Sequence, residues 1–160
     1  VNRNRDAQQI LKAVKSKKGF MNLDYVEVRH TPYVESARFG RGTDAEVLKV
    51  VERFVARAIL TRRRPLRGAE VLFLRSVLGI SQKALGARLG YSDVAILKWE
   101  RNKTKRLDPV NEVAVRALMA GYFGIKLLGT FDALLGEDKP SKHLILDYEE
   151  RARDDESDAA

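Results

Sequence analysis

Two short amphipathic segments on either side of a glycine constrain this chain more than any other feature. Ser81 is suited to cap a helix that ends near Leu89, because a serine side chain accepts a hydrogen bond from the free amides at a helix start. Ser92 can cap a second helix that reaches about Glu100. Gly90 stands between them, where a turn with positive φ excludes most other residues. The spacing predicts two short helices joined by a tight turn.

The composition of these two segments indicates that the helices cross steeply. A steep crossing needs a small residue where the backbones approach, and Gly86 is placed there. It also needs apolar residues in the interior, and the candidates are Leu85, Leu89, Ile96 and Trp99. Together these features predict a helix-turn-helix.

Helical spacing extends over most of the remaining chain. Thr43 with Glu46 has the pattern of a capping box, and apolar residues behind it predict a helix to about Leu60. A basic connector follows at 61–67, where Pro65 prevents the helix from continuing. Asp108 followed by Pro109 predicts another helix start. Further helix breaks are predicted at Gly79, Gly90, 102–107, Gly124 and Gly129.

Two of these helices carry apolar stripes that we expect to be available for a subunit interface. One stripe lies within residues 47–59. The other follows Asp108 and consists of Val113, Ala114, Ala117, Leu118 and Tyr122. Both repeat at the spacing of one helix face.

The two ends of the chain are predicted to supply a small amount of strand. Residues 6–16 have the pattern of a short helix, and 23–39 that of two short strands broken near Thr31 and Pro32. Residues 143–147 are predicted to add a strand to them. The expected fold is mainly α, a helix-turn-helix domain with a small strand-containing N-terminal module. The expected divisions are 1–42 (N-terminal module), 43–64 (helix and connector), 65–136 (helix-turn-helix domain) and 137–160 (strand and acidic tail).

The charge distribution suggests a polyanionic partner. The chain of 160 residues has a formal net charge of +8. Seven acids and two arginines fall between Asp147 and Asp158, so the rest of the chain carries +13. A basic body of this kind most often binds nucleic acid, although a basic surface also serves solubility.

Other function classes have little support in the composition. There is no cysteine, which excludes disulfides and thiolate metal sites, and with only His30 and His143 we expect no metal and no cofactor. Neither histidine lies in a recognisable nucleophile context, and the glycines form no phosphate loop, so we expect no enzyme activity. Apolar runs are too short for a membrane span. The first residues lack the apolar stretch of a signal peptide, so a cytoplasmic location is expected.

The central segment resembles the helix-turn-helix domain of the Cro and phage-repressor family. The matching residues are Ser81, Gln82, Gly90, Ile96, Trp99 and Glu100. The basic loop Lys103, Thr104, Lys105 and Arg106 resembles the phosphate-contacting loop of phage repressors. More weakly, 64–75 resembles regulators related to the MqsA antitoxin, although this chain lacks the zinc-binding cysteines of many such antitoxins. The resemblance covers about 65–123.

The resemblance assigns roles to individual residues. The second motif helix would enter the major groove, where Asp93, Val94, Leu97 and Lys98 are the candidate base contacts. The candidate phosphate contacts are Gln82, Ser92, Lys103, Thr104, Lys105 and Arg106. Arg62, Arg63 and Arg64 are candidates for contacts with flanking DNA. Arg75 and Glu100 match a structural ion pair of the family.

These features lead to one expected function and two alternatives. We expect a homodimeric, sequence-specific transcriptional regulator that binds an inverted-repeat operator in double-stranded DNA and acts as a repressor. One alternative is an antitoxin that represses its own operon and also binds a cognate toxin. The other is a protein-interaction adaptor whose helix-turn-helix does not bind DNA.

Overall fold

The computed structural model describes residues 12–14, 17–38 and 40–150. Within these ranges it contains six α-helices, namely α1 Ala45–Thr61, α2 Gly68–Leu78, α3 Gln82–Leu89, α4 Asp93–Arg101, α5 Pro109–Tyr122 and α6 Phe131–Leu134. It also contains the strands β1 Lys12–Val14, β2 Lys17–Phe20, β3 Leu23–Arg29, β4 Thr31–Ser36, β5 Gly40–Gly42 and β6 Leu144–Asp147, and a 3₁₀ turn at Tyr148–Glu150. The expectation of a mainly helical chain with a small strand component is confirmed. No helix in the described ranges is long and apolar enough to cross a lipid bilayer.

The strands form two three-stranded sheets. One has the order β1–β4–β5 and the other β2–β3–β6. β3 and β4 are separated at His30, which has a positive φ of 54°. The break therefore lies just before the predicted position, and Thr31 and Pro32 belong to β4. β6 runs parallel to β3 with Leu144 opposite Val26. The predicted addition of a C-terminal strand to the N-terminal strands is therefore confirmed.

Helices and strands share one hydrophobic core. β3 contributes Leu23, Val26 and Val28, which are almost fully buried. They belong to the same cluster as the buried faces of α1 and α2. The rings of Phe20 in β2 and Phe73 in α2 meet edge to face, with centroids 6.0 Å apart. The strands therefore pack directly on the helices that lead into the α3–α4 segment.

Two predictions about helix starts near the N-terminus are corrected. The cap of α1 is Asp44 rather than Thr43, because the Asp44 carboxylate accepts a hydrogen bond from the Glu46 amide at 2.8 Å. The helix predicted at 6–16 is wrong at Lys12–Val14, which form β1 and pair with β4. The rest of that predicted helix, at 6–11 and 15–16, lies outside the described residues.

The two predicted apolar stripes differ in how far they are buried. The stripe of α1 is used in the core, where Val51, Val55 and Ile59 are at most 1% exposed, so most of it is not available for a subunit interface. α5 packs on the core through Val115, Met119 and Ala120. Its buried face also carries Glu112 and Arg116. The predicted stripe of α5 is therefore not the main packed face. Leu118 packs partly against the core, Val113 is half-buried, and Ala114, Ala117 and Tyr122 are exposed.

Candidate functional site

The α3–α4 segment has the local structure that its capping residues predict. The hydroxyl of Ser81 accepts from the Ala84 amide at 3.0 Å, and that of Ser92 accepts from the Ala95 amide at 3.2 Å. Gly90 ends α3 with φ 77°, which is the left-handed conformation that favours glycine. The two helices are thus held at both starts and at the turn between them.

Close backbone contacts position α4 against α2 and α3. A Cβ added to Gly86 would lie 2.5 Å from the Tyr91 carbonyl oxygen, so α3 passes the turn at a distance that a side chain would prevent. A Cβ on Gly68, at the start of α2, would collide with the carbonyl oxygens of Trp99 and Asn102. Leu85 and Ile96 are fully buried between the helices. Leu89 and Trp99 are only partly buried at the edge of the core.

A buried carboxylate joins three helices. Glu100 in α4 is 4% exposed. It accepts hydrogen bonds from Arg75 in α2, including Nη2 to Oε2 at 3.1 Å. It also accepts one from Gln82 Nε2 in α3 at 2.7 Å. The ion pair expected from the resemblance is present, and Gln82, a candidate phosphate contact, is part of the same cluster.

The outer face of α4 exposes most of the candidate base contacts. Asp93 and Lys98 are exposed, and Val94 is 68% exposed. Leu97, the fourth candidate base contact, is half-buried and therefore less accessible than the other three. Arg101 is exposed at the end of α4. It was missed by sequence reasoning, although its spacing of seven from Val94 places it on the same face.

The basic loop after α4 is anchored through its backbone. The Lys105 carbonyl accepts from the Gly68 amide at 3.3 Å, and the Lys103 carbonyl accepts from the Ala69 amide at 3.2 Å. The side chains of Lys103, Thr104 and Lys105 are exposed. These bonds satisfy free amides at the start of α2. They hold the loop beside the end of α4 while its lysines remain accessible.

A groove separates the end of α4 from this loop. Its volume is about 190 Å³. The residues that line it are Lys98, Trp99, Asn102, Lys105, Arg106, Leu107 and Asp108. Within the described residues neither Lys98 nor Lys105 forms a salt bridge, so their ammonium groups are available to an anion at this groove, where Asp108 is the one acid of the lining.

Arg106 is not placed as a phosphate contact. Its guanidinium donates to Glu112 at 2.6 Å, to Asp138 at 3.2 Å and to the Gly136 carbonyl at 2.8 Å. The hydrogen bond with Glu112 raises the pKa of Arg106 above its ordinary value. Because these contacts use most of its guanidinium donors within the chain, the expectation that Arg106 is free to bind phosphate is corrected.

The three arginines of the connector, Arg62, Arg63 and Arg64, lie in three different environments. Arg64 is buried, stacks over the Tyr25 ring at 4.2 Å and donates to the Ser141 carbonyl, so it is not a DNA contact. Arg63 donates to the carbonyls of Leu135 and Asp132 at 2.9 and 3.1 Å, so its guanidinium is bound to the segment around α6. Arg62 is exposed and remains the candidate for flanking DNA.

A fully buried ion pair lies behind the loop. Arg116 and Glu112 are both 0% exposed and are joined at 3.1 Å. Burial lowers the pKa of Arg116, although the hydrogen bond that Arg116 donates to Glu112 acts in the opposite direction. Sequence reasoning missed both residues, because charges four apart on a helix usually indicate an exposed pair.

One cluster elsewhere has the donor types of a metal site. The ligand atoms of His30, Asp147 and Glu149 lie within 4.8 Å of one another. His30 Nδ1 and Asp147 Oδ2 are 2.8 Å apart and therefore already hydrogen bonded. Burial would raise the pKa of Asp147, but the bonds from the Glu149 amide and His30 outweigh it, so the pKa is lowered. The cluster ties the end of β6 to the corner between β3 and β4.

The geometry of the site, rather than a relative of known function, is the basis for assigning a function to this chain. No family model, curated protein or solved structure matches this chain. The surface formed by α4 and the loop after it is cationic, since Lys98, Arg101, Lys103 and Lys105 are all exposed. Asp93 is the acid at its start.

Proposed function

We propose that residues 65–136 form a helix-turn-helix domain that binds double-stranded DNA, and that the chain acts as a dimeric transcriptional repressor. The observation that supports this most is the outer face of α4. There the exposed Val94 lies with Lys98 and Arg101, and the lysines of the anchored loop follow directly. α4 is held by Glu100, so its outer face is presented in a fixed orientation.

The residues divide into two roles. α4 enters the major groove, where Lys98 donates to guanine O6 and N7, Asp93 accepts from cytosine N4 and Val94 meets a thymine methyl. Lys103 and Lys105 lie along the phosphate backbone and supply affinity that does not depend on sequence. Arg101 adds a cation at the end of α4. The apolar and acidic groups on α4 favour base reading over a purely electrostatic contact.

Dimerisation follows from the amount of sequence that one such helix reads. The three side chains assigned to base reading specify only a few base pairs, whereas a regulator must distinguish its site from about 10⁶–10⁹ competing sites. Two-fold symmetry doubles the site that is read. The exposed face of α5 supports this proposal, because Val110 is 69% exposed and Tyr122 is 42% exposed on a helix whose other side is packed.

The proposal is tested by selecting bound sequences from a pool of random duplex DNA with the full chain. We expect one enriched motif with two-fold symmetry. The double variant Val94→Ala, Lys98→Ala should lose the enrichment. The matched control is Lys142→Ala, an exposed lysine outside the α3–α4 segment, which should enrich the same motif. If no motif is enriched, the DNA-reading role is wrong and the adaptor hypothesis is favoured.

A further inference from the structure

Arg106 belongs to a polar cluster around Glu112 that connects the basic loop to the interior. Glu112 accepts from three groups: the Arg106 guanidinium, the Arg116 guanidinium and the Gly136 amide, the last at 2.7 Å. A Cβ on Gly136 would collide with Glu112 Oε1, so the segment before β6 approaches this carboxylate closely. Three parts of the chain thus meet at one buried charge.

The cluster extends to the end of α1. Arg116 donates to the carbonyls of Ile59 and Leu60 at 3.2 and 3.1 Å, and to the carbonyl of Arg64. The carbonyls of Ile59 and Leu60 are among those at the end of α1 that have no partner within the helix, and that of Arg64 lies in the connector. Because Arg116 satisfies them, Glu112 is held rigidly from one side and Arg106 binds it from the other.

The backbone on both sides of Arg106 is bonded to the start of α2. Leu107 N donates to the Leu66 carbonyl at 2.9 Å, and the Lys105 carbonyl accepts from the Gly68 amide at 3.3 Å. The loop is therefore fixed by two kinds of contact, the backbone bonds to α2 and the side chain of Arg106. The neighbouring lysines make no ion pair within the described residues, so Arg106 is the side chain through which the loop is held.

We propose that Arg106 is a positioning residue for DNA binding: it anchors the loop to Glu112 so that Lys103 and Lys105 are fixed beside α4 before DNA arrives. This inference rests on the proposed function for the role of the two lysines. The anchoring itself does not, because it concerns contacts within the free chain. Pre-ordering of the loop removes an entropic cost that binding would otherwise incur.

The first test measures hydrogen exchange in the full chain without DNA. In Arg106→Gln the amides of Gly68 and Ala69, which donate to the loop, should exchange at least about tenfold faster as the loop opens locally. The amides of Leu74 and Ile96, in the core, should keep their protection. Arg106→Lys should restore part of the protection, since lysine can pair with Glu112 but lacks the bidentate fork. Asp138→Asn is the control, because Asp138 is an exposed partner of Arg106 and its loss leaves Glu112 in place.

The second test measures DNA affinity at several salt concentrations. For Arg106→Gln we expect affinity to fall about three- to tenfold, the cost of ordering one or two side chains on binding. The slope of log K against log[salt] should not change, because the same phosphates are contacted once the loop is ordered. A slope that falls by about 0.9 would instead make Arg106 a phosphate contact and overturn the proposal.

The two tests separate this inference from the proposed function. If the unmodified chain binds no DNA, the proposed function fails, while the exchange of Gly68 and Ala69 still tests the anchoring. If their exchange is unchanged in Arg106→Gln, the positioning role is wrong whatever the DNA result. If core amides lose protection equally, Arg106 acts on the stability of the whole fold, and the proposal is also overturned.

Discussion

Gln82 donates a hydrogen bond from its side-chain amide to the buried carboxylate of Glu100, across 2.7 Å. This bond links the first residue of α3 to the end of α4 and leaves one N–H of the Gln82 amide for another partner. A residue that resembles a phosphate contact is therefore also a structural brace. Any effect of Gln82 on DNA binding includes its effect on the orientation of α4.

Replacing Gln82 by alanine should destabilise the fold. Glu100 keeps Arg75 but loses one hydrogen bond in a buried position, which costs about 1–3 kcal/mol. Urea unfolding monitored by circular dichroism measures the change. Lys83→Ala, at the next and exposed position, is the control and should stay within about 0.5 kcal/mol of the unmodified chain. Equal stability of the two variants would show that the Gln82–Glu100 bond contributes nothing.

Replacing Lys98 by alanine should weaken binding to the preferred site by about 1–3 kcal/mol and relax the preference at one base pair. The reason is the loss of donors to a guanine edge. Titrations with the preferred duplex and with its single-base variants measure this. An equal loss of affinity on every duplex would identify Lys98 as a phosphate contact.

Replacing Lys103 and Lys105 together by alanine should weaken specific and non-specific binding alike. The salt slope should fall by about 0.9 for each lost phosphate contact. The double variant Lys139→Ala, Lys142→Ala removes the same charge from exposed positions near β6 and serves as the control. A slope unchanged from that of the unmodified chain would contradict the assignment of the loop.

Replacing Gly86 by alanine should cost about 1–3 kcal/mol of stability, as overpacking does, because the new Cβ meets the Tyr91 carbonyl oxygen at 2.5 Å. Gly121→Ala is the matched control in a second helix, since nothing lies within 4 Å of its Cβ position. That change should stabilise the fold by about 0.5–1 kcal/mol. Thermal or urea unfolding compares the two. If Gly86→Ala is as stable as Gly121→Ala, the close helix approach is not required.

The operator should be an inverted repeat with half-sites about 10–10.5 bp apart or a multiple of that. Inserting about 5 bp should abolish tight binding, since it rotates one half-site by half a turn. Ala117→Glu, on the exposed face of α5, should reduce dimerisation in sedimentation experiments and leave the fold intact. Tight binding of one protomer to a single half-site would contradict the dimer proposal.

Local signals explain why much of the α3–α4 segment could be predicted. Ser81, Gly90 and Ser92 act on their own neighbours in sequence, so their effects are readable without tertiary contacts. The same holds for the break between the first two predicted strands, which the sequence predicts near Thr31 and Pro32 and which lies at His30. The pairing of β6 with the N-terminal strands is a prediction from strand propensity alone.

Contacts between distant residues explain what could not be predicted. Arg64 and Arg106 have the sequence context of solvated cations, but Tyr25, Ser141 and Glu112 bind them only after folding. The same applies to α5. Its apolar spacing favours the face with Val113 and Ala117, whereas the packed face holds an ion pair whose partners lie in α1 and in the segment before β6.

The parallel pairing of β6 with β3 has a consequence for how the chain reaches this structure. Leu144 lies opposite Val26, so all six helices fall inside the loop that this pair closes. The two strands are far apart in sequence, so their pairing raises the contact order of the fold. A high contact order slows folding far more than it lowers equilibrium stability. We therefore expect the helices to form first and β6 to add late. A chain cut before Leu144 would leave the outer edge of β3 without its partner and ready to pair with another strand.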